Sequence, residues 1–128
     1  KIGAIGYCFG GLCALDLARC VDDLKVVVSF HGLLHAPKEG NSFSIRAKVL
    51  ALHGAQDPMV SQEEICAFQK EMTERKADWQ LHIFGGAMHA FTNPEAQDPD
   101  FGTVYHSSSD HRSWNQMKAL FSEVFFED

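Results

Sequence analysis

The fold is decided near the start of the chain by the stretch Ile2-Gly3-Ala4-Ile5-Gly6-Tyr7-Cys8-Phe9-Gly10-Gly11. Residues 2–7 are apolar enough to form a short buried strand. Residues 12–18 are rich in leucine and alanine, which favour helix. Because the intervening glycines let the chain turn sharply, we predict a strand, a tight turn at Cys8 and then a helix.

The pattern Gly6-x-Cys8-x-Gly10 at this turn is typical of a nucleophile elbow with cysteine in place of serine. Glycine on either side removes β-carbons that would collide where strand and helix pack. At the helix N-terminus, free N–H groups and the helix dipole favour a thiolate, and the backbone N–H of Phe9 is the predicted oxyanion-hole donor. An inert cysteine in a glycine-rich turn fits the same five residues equally well.

Three further strands are predicted from the apolar segments at residues 24–30, 49–52 and 79–84. Strands that alternate with helices indicate a parallel sheet with right-handed crossovers, and such a sheet needs both faces covered. The sequence contains no internal repeat or interdomain linker. We therefore predict one α/β domain over residues 1–128.

Two further helices complete this pattern. Ser61-Gln62-Glu63-Glu64 fits a capping box, and Arg75 and Lys76 suit the negative end of the dipole of the helix that follows. The last helix is predicted to start near Asp110 and to dock on the sheet through a broad apolar face. Between strand four and that helix, residues 89–109 form a loop of the length that functional loops have.

The charge balance limits the classes of partner. Seventeen acidic and eleven basic residues give a formal charge of −6, with no basic cluster that could neutralise a run of phosphates. No apolar run is long enough to span a bilayer, and no leader pattern is present. We therefore expect a cytoplasmic protein that binds neither nucleic acid nor membranes.

The cysteines at 8, 13, 20 and 66 have neither zinc-ribbon spacing nor a C-x-x-C pair. A disulfide framework is not expected. Cys13 and Cys20 lie seven residues apart, on one helical face, and are predicted to be core residues. Cys8 alone has the surroundings of a reactive thiol.

Asp57 and His89 are the predicted partners of Cys8. Asp57 follows the third strand and His89 follows the fourth, so all three residues lie just beyond carboxyl ends of strands, where open α/β sheets bind ligands. They also occur in the chain order nucleophile, acid, histidine that α/β-hydrolases use. Taken singly, Asp57 also fits a turn or capping residue, and His89 a polar loop residue.

The chain resembles the dienelactone hydrolase family over nearly its whole length. Three segments carry the resemblance: Gly6-Tyr7-Cys8-Phe9-Gly10-Gly11, His53-Gly54-Ala55-Gln56-Asp57 and Gly86-Ala87-Met88-His89-Ala90-Phe91. The resemblance implies an α/β-hydrolase-type, mostly parallel sheet flanked by helices. It also implies hydrolysis of small carboxylic esters or lactones by a Cys8-Asp57-His89 triad through a thioester, with no metal and no cofactor.

Two features depart from the family pattern. The chain begins inside the strand that feeds the elbow, so we expect the family's earlier strands, second oxyanion donor and activating glutamate to lie before Lys1. The family's best-known lactonases have an arginine shortly after the catalytic histidine, whereas this chain has Ala90-Phe91-Thr92-Asn93. The sequence therefore does not identify the substrate within the class of esters and lactones.

Other interpretations stay open. The chain fits an inactive fragment or interaction domain, in which an exposed strand edge at residues 2–6 would favour homo-oligomers. A metal site is conceivable from the histidines at 31, 35, 53 and 106, although those at 31 and 53 precede glycine and are more simply turn residues. Redox signalling through Cys8 is another alternative, but no resolving cysteine is evident.

Overall fold

Four parallel strands form the centre of the protein, in the spatial order of the chain. The computed structural model describes residues 1–127. The strands are β1 (Ile2–Tyr7), β2 (Leu24–Phe30), β3 (Lys48–Gly54) and β4 (Asp78–Phe84). The helices are α1 (Phe9–Cys20), α2 (Gln62–Glu74) and α3 (Ser107–Phe126), and a small antiparallel pair joins β5 (Gln97–Asp98) to β6 (Thr103–Val104).

The central strands β2 and β3 are nearly continuous apolar runs because helices cover both faces of the sheet. On one face, Val27 and Val49 pack with the apolar sides of α1 and α2. On the opposite face, Val28 and Leu50 pack with α3. The predicted layered, parallel α/β fold is therefore confirmed.

The predicted helices are present, with shifted ends. α1 begins at Phe9, directly after Cys8, and α3 begins at Ser107, before the predicted Asp110. The N-cap of α2 is as predicted, because the Ser61 hydroxyl accepts a hydrogen bond from the Glu64 N–H at 3.2 Å. Met117 and Leu120 of α3 are buried against the sheet, as expected for a docked helix.

One local prediction was wrong. Cys13 and Cys20 are exposed rather than core residues, because the face of α1 that meets the sheet is formed by Ala14, Leu15 and Ala18. Arg75 lies at the C-terminal end of α2, as predicted, and is buried there. Its guanidinium donates hydrogen bonds to backbone carbonyls and to the Asn41 side chain.

No helix within residues 1–127 combines the length and the apolar character that crossing a membrane requires.

Candidate active site

Cys8 occupies a sharp bend between β1 and α1. Its backbone has φ 54° and ψ −122°, a conformation that non-glycine residues rarely adopt. The bend leaves Cys8 partly exposed just before the first residue of α1. Phe9 is that first residue, so its N–H has no acceptor within the helix and is available to a ligand.

The two glycines of the elbow have different roles. A β-carbon on Gly6 would lie 1.9 Å from the Gly10 carbonyl oxygen, so only glycine allows strand and helix to approach this closely. A β-carbon on Gly10 would meet nothing within 4 Å. The close approach thus requires glycine at position 6, and the expectation that Gly10 is also needed for packing was wrong.

The loops after β3 and β4 lie against each other. The Gln56 N–H donates to the Ala87 carbonyl at 2.9 Å. A β-carbon on Gly54 would lie 2.6 Å from the same carbonyl oxygen. This contact places Asp57 next to His89, although 31 residues separate them in the sequence.

Asp57 and His89 are joined by a buried hydrogen bond of 2.8 Å between Asp57 Oδ2 and His89 Nδ1. The other carboxylate oxygen accepts from the Met59 N–H at 2.9 Å, which fixes the orientation of Asp57. With Nδ1 engaged, Nε2 is the His89 nitrogen left to meet the Cys8 sulfur. The ligand atoms of Cys8, His31 and His89 lie within 4.8 Å of one another.

The 89–106 loop is held by backbone hydrogen bonds. The His89 N–H donates to the Gly102 carbonyl at 2.9 Å, and the His106 N–H donates to the Phe91 carbonyl at 3.0 Å. Gly102 has φ 98° and lies against the Pro58 ring, next to Asp57. The loop that carries His89 therefore packs on the loop that carries Asp57.

Sequence reasoning named His31 only as a conceivable metal ligand and did not place it beside Cys8. It directly follows β2, is 1% exposed and has φ 43°. Its Nδ1 lies 3.3 Å from the Cys8 sulfur, and its Nε2 lies 2.8 Å from the Thr92 hydroxyl oxygen. Its place at the same carboxyl edge of the sheet was a signal that could have found it, but the following glycine favoured a simple turn.

Burial controls the protonation of this site. It raises the pKa of the Cys8 thiol, and the Asp57 carboxylate raises that pKa further. Loss of water around the sulfur thus opposes the thiolate that the helix N-terminus favours. Burial also lowers the pKa of His31 to about 4, with His89 contributing in the same direction.

A neutral His31 offers one N–H donor and one acceptor nitrogen. When Nε2–H donates to the Thr92 hydroxyl, Nδ1 can accept a hydrogen bond from the Cys8 thiol. When the Thr92 hydroxyl donates instead, Nδ1–H can donate to a Cys8 thiolate. The arrangement can therefore satisfy either protonation state of the sulfur.

The other histidines considered as metal ligands lie elsewhere or are used differently. His35 is exposed, and His106 bonds Ser109 through Nδ1 at 2.6 Å. His53 is buried near Asp57, and its Nδ1 has no hydrogen-bond partner within residues 1–127. Burial lowers the pKa of His53 as well.

A cavity of about 530 Å³ lies away from Cys8. It is bounded by the C-terminal parts of α1 and α2 and by the 36–42 loop. Arg19 lines this cavity. Its guanidinium already donates hydrogen bonds to the Glu71 and Asp16 carboxylates and to two backbone carbonyls. The candidate site is therefore the carboxyl edge of the sheet, where Cys8 lies, and not this cavity.

Comparison with known proteins identifies the fold. A promiscuous phosphotriesterase from metagenomic libraries, described as dienelactone hydrolase-like, superimposes with a TM-score of 0.91 at 42% identity, over 97% of this chain and 52% of that chain. An α/β hydrolase from a deep-sea metagenome has a TM-score of 0.67 at 15% identity, over 96% of this chain and 53% of that chain. The fold is therefore that of the α/β hydrolases.

Sequence relatives agree with this result. An uncharacterized protein of Caenorhabditis elegans is 38% identical over 98% of this chain and 81% of its own length. A carboxymethylenebutenolidase homolog of Xenopus tropicalis is 25% identical over 77% of this chain and 39% of its own length. The chain thus spans about half the length of the metagenomic phosphotriesterase and most of the nematode relative. Since the sequence model of the dienelactone hydrolase family matches residues 1–125, the chain belongs to that family.

Proposed function

We propose that this chain carries a thiol hydrolase centre that cleaves small carboxylic esters or lactones. Cys8 is the nucleophile, His89 the general base and Asp57 the residue that orients His89. The observation that supports this most strongly is the buried 2.8 Å Asp57–His89 hydrogen bond beside a cysteine in a strained elbow. Strained backbone at a ligand-binding sheet edge is a recurrent feature of functional sites.

The first half-reaction forms a thioester. The Cys8 thiol transfers its proton to His89 Nε2 as the sulfur attacks the ester carbonyl carbon. The carbonyl oxygen becomes an oxyanion, which the Phe9 N–H stabilises by a hydrogen bond. When the tetrahedral intermediate collapses, the C–O bond to the leaving alcohol breaks and His89 returns the proton to the alcohol oxygen.

The second half-reaction releases the acid. Water gives a proton to His89 and attacks the thioester carbonyl carbon, again with the oxyanion at the Phe9 N–H. The C–S bond then breaks, and His89 returns the proton to the Cys8 sulfur. Asp57 holds the His89 tautomer in which Nε2 can accept a proton, and it stabilises the imidazolium in both halves.

His31 holds the resting sulfur in this scheme. The raised pKa of Cys8 makes the thiol the resting form, so the sulfur waits in a hydrogen bond to His31 Nδ1 and turns towards His89 when substrate binds. Catalytic hydrogen bonds are often long before substrate binds. His31 acts here as a positioning residue.

Phosphotriesters are a second candidate substrate class. The similar metagenomic protein is described as a promiscuous phosphotriesterase. A thiolate that attacks a carbonyl carbon can also attack a phosphoryl phosphorus, and the Phe9 N–H would face the phosphoryl oxygen in the same way.

The proposal is tested with p-nitrophenyl acetate and with a p-nitrophenyl phosphotriester. The parent chain is compared with Cys8→Ala, and with Cys13→Ser as a matched control on an exposed cysteine of α1. We expect turnover and a mass-detected acyl adduct in the parent and in Cys13→Ser. Both should be lost in Cys8→Ala, by at least about 10³-fold in rate.

Equal turnover in Cys8→Ala and the parent would contradict the assignment of Cys8. An adduct on Cys13, Cys20 or Cys66 alone would also contradict it. No turnover in a folded parent chain would support the alternative, in which this chain is an inactive or interacting part of a hydrolase.

A further inference from the structure

Cys8, His31 and His89 bring one sulfur and two imidazole nitrogens to a common point. These ligand atoms lie within 4.8 Å of one another, and no other such group of His, Cys, Asp or Glu occurs in residues 1–127. We propose that they form a binding site for Zn²⁺ or a similar divalent transition metal, and that the bound metal inhibits the enzyme reversibly. Metal binding does not depend on the proposed hydrolysis, whereas inhibition rests on it.

The donor set selects the class of metal. Thiolate and imidazole are ligands that Zn²⁺ prefers, whereas Ca²⁺ and Mg²⁺ require oxygen ligands. Three protein ligands leave the fourth tetrahedral position to water, as in open zinc sites. The Asp57 carboxylate, whose side chain is fully buried beside His89, adds a negative charge that complements the cation.

The separations are close to those that a tetrahedral metal imposes. Bonds of about 2.3 Å to sulfur and 2.0 Å to nitrogen put the sulfur about 3.6 Å from each nitrogen, and the nitrogens about 3.3 Å apart. The Cys8 sulfur is already 3.3 Å from His31 Nδ1. The remaining separations contract by about 1.5 Å at most, since none exceeds 4.8 Å.

Each imidazole is oriented by a hydrogen bond to the ring nitrogen that is not the proposed metal ligand. His89 Nδ1 bonds the Asp57 carboxylate at 2.8 Å, and His31 Nε2 bonds the Thr92 hydroxyl oxygen at 2.8 Å. In each ring the nitrogen that faces the sulfur is therefore the one left free to bind a metal. Such outer partners fix the ring tautomer in protein metal sites and raise affinity by about 10–100-fold.

Binding and inhibition follow from the same bonds. The Cys8 thiol loses its proton to solvent, the sulfur and the two nitrogens each donate an electron pair to the metal, and no electron is transferred. The metal then withdraws charge from the Cys8 sulfur, which becomes a weaker nucleophile, and His89 Nε2 can no longer accept a proton. Because Cys8 is partly exposed, an ion can reach the buried imidazoles from the side of the sulfur.

Binding is tested directly by titrating the metal-free chain with Co²⁺ in the absence of substrate. We expect one equivalent to produce the visible bands of tetrahedral Co²⁺ and a near-ultraviolet thiolate-to-cobalt band, both removed by one equivalent of Zn²⁺. Cys8→Ser should lose the thiolate band. His31→Asn should weaken binding by about 100-fold or more, and Thr92→Val by about 10-fold or more.

Matched controls separate this site from surface binding. His35→Asn removes an exposed histidine, and Cys13→Ser an exposed cysteine, and both should keep parent affinity. Asparagine is chosen for position 31 because it tolerates the left-handed backbone there. Thermal unfolding without metal confirms that each variant is folded, and Thr92→Val tests the site while all three ligands remain.

The proposal is overturned if Co²⁺ binds without the thiolate band, or if folded His31→Asn keeps parent affinity. Zn²⁺ at saturating occupancy that leaves ester turnover unchanged would overturn the inhibition. If the chain binds Co²⁺ as expected but has no esterase activity, the metal site stands and the proposed hydrolysis is the part that fails.

Discussion

At the scale of single residues, Asp57 has two opposing effects on the reactivity of Cys8. In the proposed mechanism the Asp57 carboxylate supports His89 as a base, but its negative charge also raises the pKa of the Cys8 thiol. Burial and this charge both oppose a stored thiolate. In the proposed mechanism the thiolate forms only when the Cys8 proton moves to His89.

Asp57→Asn should therefore change both the turnover rate and the pKa of Cys8. Turnover should fall by about 10⁴-fold because His89 takes the wrong tautomer. The pKa of Cys8 should fall at the same time because a nearby negative charge is removed. Steady-state rates give the first effect, and the pH profile of Cys8 alkylation by iodoacetamide gives the second.

The alkylation is best measured in a background without the exposed cysteines at 13, 20 and 66. A Cys8 pKa that stays constant or rises in Asp57→Asn would show that Asp57 does not act on the sulfur through its charge.

At the scale of elements, α1 and α2 are joined by a buried charged pair. The Arg19 guanidinium donates two hydrogen bonds to Glu71, at 2.8 and 2.9 Å, and others to the Leu34 and His35 carbonyls. These contacts bind the two helices and the loop after β2 into one layer over the sheet. They lie at the end of α1 farthest from Cys8.

Arg19→Met should therefore lower the free energy of unfolding by about 3–5 kcal/mol, since two carbonyls lose their donor and Glu71 keeps only its 3.5 Å pair with Arg75. The Arg19 side chain is only 1% exposed, so water cannot replace it. Lys70→Met is the matched control, because its exposed 3.9 Å pair with Glu74 should contribute about 0.5 kcal/mol or less. Urea unfolding measures both, and similar losses in the two variants would contradict the structural role of the pair.

β1 is the other element with a testable consequence, because it lies at an edge of the described sheet. An edge strand has unpaired backbone N–H and C=O groups that can pair with another chain. The side chains of Ile2 and Ile5 are 63% and 43% exposed, so this edge is also apolar. We expect the chain to self-associate as its concentration rises. Ile5→Lys should shift it towards the monomer in size-exclusion chromatography, and a parent chain that stays monomeric at high concentration would contradict this.

At the scale of the whole molecule, burial of histidines links stability to pH. The pKa of His31 is about 4 in the folded protein against about 6.5 in the unfolded chain, and burial lowers that of His53 too. Between those values the unfolded chain binds more protons than the folded protein. The free energy of unfolding therefore rises with pH across this window and falls on acidification.

We expect a loss of about 3 kcal/mol from His31 alone between pH 6.5 and pH 4. Urea unfolding of the metal-free chain in EDTA across this range measures it. His31→Asn should flatten the dependence, whereas His35→Asn, at an exposed position, should not. A parent chain whose stability is constant over the window would contradict the burial of a neutral His31.

The sequence by itself determined the order of strands and helices, since long apolar runs and a capped helix are local patterns that survive in the folded protein. It also singled out Cys8, Asp57 and His89, because chain order and strand ends can be read without coordinates. The pair β5 and β6 was missed, since strands of two residues carry no periodic pattern.

Only the tertiary structure decided what surrounds the sulfur. His31 meets Cys8 because β1 and β2 are neighbours in register, with Tyr7 opposite Phe30, so the residues after both strands lie together. Thr92, 61 positions further along the chain, then fixes that ring. The raised pKa of Cys8 was equally invisible in the sequence, because desolvation depends on how much protein packs around a group and not on its neighbours along the chain.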